Sequence, residues 1–347
     1  MYSIKGKVFE FFVFRFLYSC GFEPIVPDGM FVFGETDMLM VQGLGGAHNA
    51  DVLMAPPVQI PCAYPIRLLV ECKCYNESVG LPIIRNALGM RHDINSMEVL
   101  STDILENRED NRNSKQRLYK MNRYQYQVAV AAIDDFAVTT FAFAAAHRIP
   151  LISFARSRIF ENIRMLINAI DLEARLSSNH ANEIRAMMKK WMEHPEWMTN
   201  ERFENTSFDR FVNELLSIEK ETSIGLLSDG TMLFLRKNNY ALSLVSDEFT
   251  YDDGFTIHWY TEEDSTWVIR FWEDRGERRY LSEYLFELPK ELYDEWKRSA
   301  KEQKEEAKHV KRDYFNHITL FSRGSASEVI IKRIPLSQSF IETELKD

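Results

Sequence analysis

Apolar residues recur at helical spacing in the opening segment. Val8, Phe9, Phe12, Val13, Phe16 and Leu17 form one stripe, and Gly21 is a natural stop after it. Shorter apolar runs then predict strands at 23–26, 30–33, 37–41, 49–54 and 66–74, with Pro56, Pro57, Pro61 and Pro65 confining the stretch between the last two to a loop. A helix is expected over 81–91, opening at Pro82. Beyond it, a strand at 125–133, an alanine-rich helix at 136–147 and a strand at 149–154 alternate in the way that favours parallel pairing. Asp134 and Asp135 would cap the intervening helix. Ile159, Ile163, Leu166, Ile167 and Ile170 predict one long helix over 158–191, broken at His194-Pro195-Glu196. The expected division is therefore into domains 1–195 and 196–347. The second reads as a strand-rich α+β module: a helix at 208–219, a hairpin about Asp229-Gly230, strands at 240–245, 256–260, 267–272 and 329–334, and a charged helix at 289–314.

Candidate chemistry gathers where the run from 66 ends in Glu71-Cys72-Lys73, with Asp51 on the strand before it. Side chains alternate along a strand, so Glu71 and Lys73 share a face and Cys72 points to the other layer. Two carboxylates beside an ammonium suit phosphodiester hydrolysis, in which acids hold Mg²⁺ and a cation stands by the attacking water or the developing charge. The Cys72 backbone carbonyl could add a metal ligand. The same residues also suit a solvated strand edge with an ordinary same-face charge pair. Spacing alone leaves both open.

The surrounding sequence resembles the PD-(D/E)xK nucleases, and among them the Mrr-like restriction endonucleases. The resemblance starts at Lys7-Val8-Phe9-Glu10-Phe11-Phe12 and runs through Leu17, Cys20-Gly21-Phe22, Gly43-Leu44-Gly45-Gly46, Asp51 and Glu71-Cys72-Lys73. It continues with Val79-Gly80-Leu81-Pro82-Ile83-Ile84-Arg85, Leu88-Gly89, Tyr126 to Ala132, Phe136-Ala137, Ala144 to His147 and Ile149 to Ile152. It covers roughly residues 1 to 155. It implies a restriction-endonuclease-like α/β fold, a three-layer core with a mixed central sheet. It further implies a Mg²⁺-dependent (or Mn²⁺-dependent) endonuclease acting on DNA in restriction or anti-phage defence. Asp51 and Glu71 would ligate the metal with the Cys72 carbonyl, Lys73 would orient or activate water, and Glu10 would assist. Arg85, near the end of the catalytic strand, could face a phosphate or be a surface arginine, and Glu10 could equally be a solvated helical glutamate. Two departures stand out: His48 and Asn49 occupy places where the family often has an acid or glutamine, and a polar segment from Asp93 to Asn122 reads as an insertion.

Composition changes the picture in a few places. With 347 residues, 45% of them hydrophobic, the chain can bury a sizeable core. No apolar run approaches the about eighteen residues of a membrane span, and Glu10 and Arg15 interrupt what would otherwise be a signal-peptide core. Four cysteines at 20, 62, 72 and 74 form no C-x-x-C pair, which fits reduced thiols and a cytoplasmic location. A net charge of -10 argues against broad phosphate contact. Arg112, Lys115, Arg117 and Lys120, interleaved with tyrosines, form the basic stretch suited to gripping a nucleic-acid backbone, or to a solvated insertion. Trp259, Tyr260, Trp267, Trp272 and Tyr280 could stack on bases or belong to a core. DNA is the expected partner, with a homodimer or a defence-system protein beside it. The alternatives are a catalytically silent nuclease-like module that binds DNA or a partner, and an interaction protein docking through its second half.

Overall fold

The structure, a computed structural model, describes residues 4–29, 31–35, 38–97, 124–155, 158–200, 206–227, 231–238, 254–259, 266–274, 278–287, 314–323 and 329–344. The chain divides into two compact units, one of Met1–Phe14 with Phe22–Ala155, the other of Arg15–Gly21 with Arg156–Asp347. The expected boundary at 195/196 falls inside the second unit. Among the described residues no helix is long and apolar enough to cross a membrane.

Helix α1 (Lys5–Ser19) forms over the first apolar stripe and ends at Gly21, whose φ of +91 suits glycine. The first unit is built on a five-stranded sheet ordered β1-β5-β6-β7-β8, from β1 (Glu23–Pro24), β5 (Val52–Ala55), β6 (Ile66–Lys73), β7 (Gln125–Ala132) and β8 (Leu151–Ser153). The pairs β1/β5 and β5/β6 are antiparallel, whereas β6/β7 and β7/β8 are parallel, so the sheet is mixed. Helices α2 (Leu81–Ser96) and α3 (Val138–Ala146) make the two parallel crossovers. A separate antiparallel meander joins β2 (Val32–Glu35), β3 (Met38–Gln42) and β4 (Ala47–Ala50).

Burial follows the two periods of the sequence. Leu69, Val128, Val130 and Ala132 on one sheet face pack with Ile84, Ala87, Met90 and Ile94 of α2 and with Val32 and Val41 of the meander. Leu68, Val70, Ala129 and Ala131, which alternate with them, are buried as well, so β6 and β7 read as nearly unbroken apolar runs. Phe9 and Phe12 of α1 meet Phe154, just past β8, edge to face at 5.7 and 5.0 Å.

Three local expectations are corrected here. The strand predicted over 49–54 is two strands, because the chain leaves the meander and enters the central sheet at a bend on Asp51. Helix α2 runs on to Ser96, since Ile94 extends its buried stripe, so Asp93 is helical and not the start of an insertion. Asp135 accepts the Phe136 amide at 2.8 Å ahead of α3, and the N-cap position of that helix is Ala137, which makes no side-chain cap.

The second unit contains α4 (Glu161–Leu176), α5 (Ser178–Glu193) and α6 (Ser207–Glu221). The single helix expected over 158–191 is interrupted at Ser177, whose side chain caps α5 by accepting from the His180 amide. A seven-stranded antiparallel sheet follows, ordered β11-β12-β13-β10-β9-β14-β15. Its strands are β9 (Thr222–Leu227), β10 (Met232–Lys237), β11 (Phe255–Trp259), β12 (Thr266–Asp274), β13 (Arg278–Glu287), β14 (His317–Arg323) and β15 (Val329–Pro335). The predicted hairpin is present as β9 paired with β10, Leu226 opposite Met232. Trp267 is buried and packs near Phe286, which makes it core rather than a stacking platform. Residues 240–245 and 289–313, where a strand and a charged helix were expected, lie outside the described residues, as do the side chains of Trp259, Tyr260, Trp272 and Tyr280.

Candidate active site

Strand β6 delivers Glu71 and Lys73 to one face, as its alternation requires. Lys73 Nζ donates to Glu71 Oε2 at 2.6 Å, with Glu71 buried and Lys73 half-buried. Burial pulls the Lys73 ammonium down, but the Glu71 hydrogen bond and charge, helped by Asp51 and Tyr75, outweigh it and hold the group above its ordinary value. The lysine is therefore fully charged at neutral pH.

Asp51 reaches the same place from the neighbouring strand. Val52 pairs with Val70, so the bend at Asp51 lies beside Glu71 and Cys72, just where the backbone ladder between β5 and β6 stops. The Asp51 side chain takes over that ladder. Its Oδ2 accepts the Cys72 amide at 2.8 Å, and its Oδ1 accepts Asn49 Nδ2 at 2.9 Å. In an extended strand the N–H and C=O of one residue point to the same edge, so the Cys72 carbonyl is directed to the Asp51 side.

Helix α1 adds a third acid. Glu10 accepts from Lys7 Nζ at 2.7 Å, and its carboxyl is pushed up to about 7, first by burial and then by the charge of Asp51, against the pull of Lys7 and Lys73. The influence of Asp51 and Lys73 on Glu10 means that residues 7, 10, 51, 71 and 73 form one electrostatic group. The Cys72 thiol belongs to the opposite layer, as expected. Burial, then the charges of Asp51, Glu10 and Glu71, push it well above its ordinary range, so it is a neutral thiol.

Residues absent from the expected site support it from behind. Asn49, which reads in sequence as a departure from the family, holds Asp51. His48, the other departure, donates from Nε2 to Asp93 Oδ2 at 2.7 Å, while Asp93 Oδ1 accepts the Gly45 amide at 2.8 Å. These two bonds, His48 first, hold the Asp93 carboxyl below its ordinary value. The Gly-rich turn between β3 and β4 is thus fastened to α2. The polar residue two positions before Asp51 was a readable signal for Asn49; nothing in spacing pairs residue 48 with residue 93.

The other candidates fall elsewhere. Arg85 is exposed on α2, its guanidinium 5.8 Å from the Phe143 ring, and it is not among the groups these contacts gather. Arg112, Lys115, Arg117 and Lys120 lie outside the described residues. Among the described residues no three His, Cys, Asp or Glu side chains close around a point that would hold a metal. Mg²⁺ does not need such a cage, since it keeps several waters and takes one or two carboxylates. Asp51, Glu71 and the Cys72 carbonyl are oxygen donors of that kind and fit it.

No family model and no curated protein matches the chain. A crystal structure titled as that of a protein of unknown function, AF1548, aligns with a TM-score of 0.28 at 15% identity, covering 54% of this chain and 98% of that one. Similarity of that degree carries no argument about fold or activity.

Proposed function

We propose that the first unit is a divalent-metal-dependent endonuclease of restriction-endonuclease-like fold, hydrolysing phosphodiester bonds of DNA in defence against foreign DNA. The observation that carries the reading is the Asp51 carboxylate anchored on the Cys72 amide beside the Glu71–Lys73 pair. The order of elements supports it too: a helix with an acid, a meander, an antiparallel and then a parallel strand about Glu71 and Lys73, and two parallel crossovers. The choice of DNA rests on the resemblance of residues 1 to 155 to the Mrr-like enzymes.

Asp51, Glu71 and the Cys72 carbonyl would hold Mg²⁺ or Mn²⁺. When bound, the ion supplies charge stabilisation at a scissile phosphate and a more acidic water. Lys73, charged at neutral pH, donates hydrogen bonds that can orient the attacking water or balance charge growing on a phosphate oxygen. Glu10, poised at about 7, can hold or release a proton on its carboxylate near neutral pH.

The test is incubation of the purified chain with plasmid and linear DNA, methylated and unmethylated, in Mg²⁺, Mn²⁺ or EDTA. Cutting is expected with metal and not with EDTA, and Asp51→Ala and Lys73→Ala should each lose it while melting as cooperatively as the parent. Cutting retained by either variant would contradict the assignment. DNA retention without cutting in any metal would favour the catalytically silent binding module.

A further inference from the structure

Both oxygens of the Asp51 carboxylate are gripped, by the Cys72 amide on Oδ2 and by the Asn49 amide on Oδ1. The first grip comes with the fold, because it is a backbone donor at the end of a ladder. The second comes from a side chain. Asn49 is a half-buried residue of β4 opposite Met40, at a position where strand pairing asks for no amide. A short side chain two residues before a carboxylate can reach it, and only a donor satisfies it there. The amide must present its nitrogen, since its oxygen would face a carboxylate oxygen.

A carboxylate has about four acceptor positions, so two donors leave it lone pairs for a cation. They also remove its freedom to rotate. A carboxylate already aimed loses no rotamer freedom when it takes up a metal, and residues that fix ligands from behind typically change metal affinity about 10- to 100-fold. We propose that Asn49 is a positioning residue, fixing the Asp51 carboxylate for a divalent cation; this rests on the metal-site reading above. Cys72 supplies the fixed half of the clamp and Asn49 the half that substitution can remove. His48, next to it, points its bond to Asp93 and braces β4 from the α2 side.

The experiment is a Mn²⁺ titration followed by the free-ion electron paramagnetic resonance signal, on the full chain without DNA. It compares the parent, Asp51→Ala, Asn49→Ala and Asn49→Leu, the last keeping the shape of asparagine without its donor. Melting curves in EDTA are recorded for each. The expected result is binding by the parent, loss in Asp51→Ala, and dissociation constants raised about 10- to 100-fold in both Asn49 variants with cooperative melting preserved. Parent-like Mn²⁺ affinity in Asn49→Ala and Asn49→Leu, with Asp51→Ala failing to bind, would overturn the positioning role and leave the metal site standing. A lowered melting temperature with unchanged affinity would assign Asn49 to structure alone and overturn it equally. A parent that takes up no Mn²⁺, or an Asp51→Ala variant that binds like the parent, would overturn the metal-site reading and the positioning role together.

Discussion

Glu10 is the residue whose chemistry the surroundings alter most usefully. It sits on a helix between Phe9 and Phe11, both fully buried, and its carboxyl is raised from 4.5 to about 7 by burial and by Asp51. The folded chain therefore holds this proton over a range in which the unfolded chain has released it. The sign follows directly. The stability Glu10 contributes is complete below about 4.5 and is lost as pH rises through about 7. Glu10→Gln should consequently stabilise the protein above pH 7, by up to about 3 kcal/mol, and change little near pH 4. Urea unfolding of both proteins at the two pH values checks it; an equal effect at both would contradict the argument. The helical position of Glu10 was legible in the sequence, but its burial beside Asp51 was not, because the two are brought together by packing.

At the scale of elements, the fastening of the β3–β4 turn to α2 makes the clearest demand. A Cβ on Gly43 would run into Asp93 Oδ2, while Leu44 and Gly45 both donate backbone amides to Asp93. Gly43→Ala should force the carboxylate away from His48 and Gly45 and lower stability, seen as a lower urea midpoint; an unchanged midpoint would contradict the fastening. Asp93 has a depressed carboxyl, so the stability it lends is present at neutral pH and disappears as pH falls through its folded value. An acid titration of the melting temperature should show Asp93→Asn losing part of the parent's slope there. Strand and helix periods predicted most elements of the first unit within a few residues. Errors fell at the bend at Asp51 and the cap at Ser177, where a polar side chain decided the outcome, and at the extra turn of α2, where Ile94 carries the buried stripe past Asp93.

At the scale of the molecule, the chain is not cut cleanly into consecutive halves. The end of α1 belongs with the second unit, where Arg15 is buried. Its guanidinium forks onto Glu219 at 2.8 and 2.9 Å and donates to the Pro195 carbonyl at 2.6 Å. Burial raises the Glu219 carboxyl and Arg15 opposes the rise. Removing the cation leaves a buried acid unpaired, so Arg15→Ala should lower stability by about 3–5 kcal/mol. An apolar pair, Arg15→Met with Glu219→Leu, should recover most of it; equilibrium unfolding of the three chains measures both. The boundary expected at the proline break missed this arrangement because composition shows where a chain turns, not which distant segment it packs on.

The sequence by itself determined the elements and the faces they present. Period 2 put Glu71 and Lys73 together and Cys72 behind them, and period 3.6 put Glu10 on an apolar helix, because strand and helix geometry act over a few residues. Tertiary structure alone decided which groups meet. Asn49 reaches Asp51 across only two residues, but Asp51 takes the Cys72 amide only because one strand ends where another continues, and the His48–Asp93 and Arg15–Glu219 pairs join residues 45 and 204 positions apart. Those approaches are set by the packing of whole faces, and no local spacing carries them.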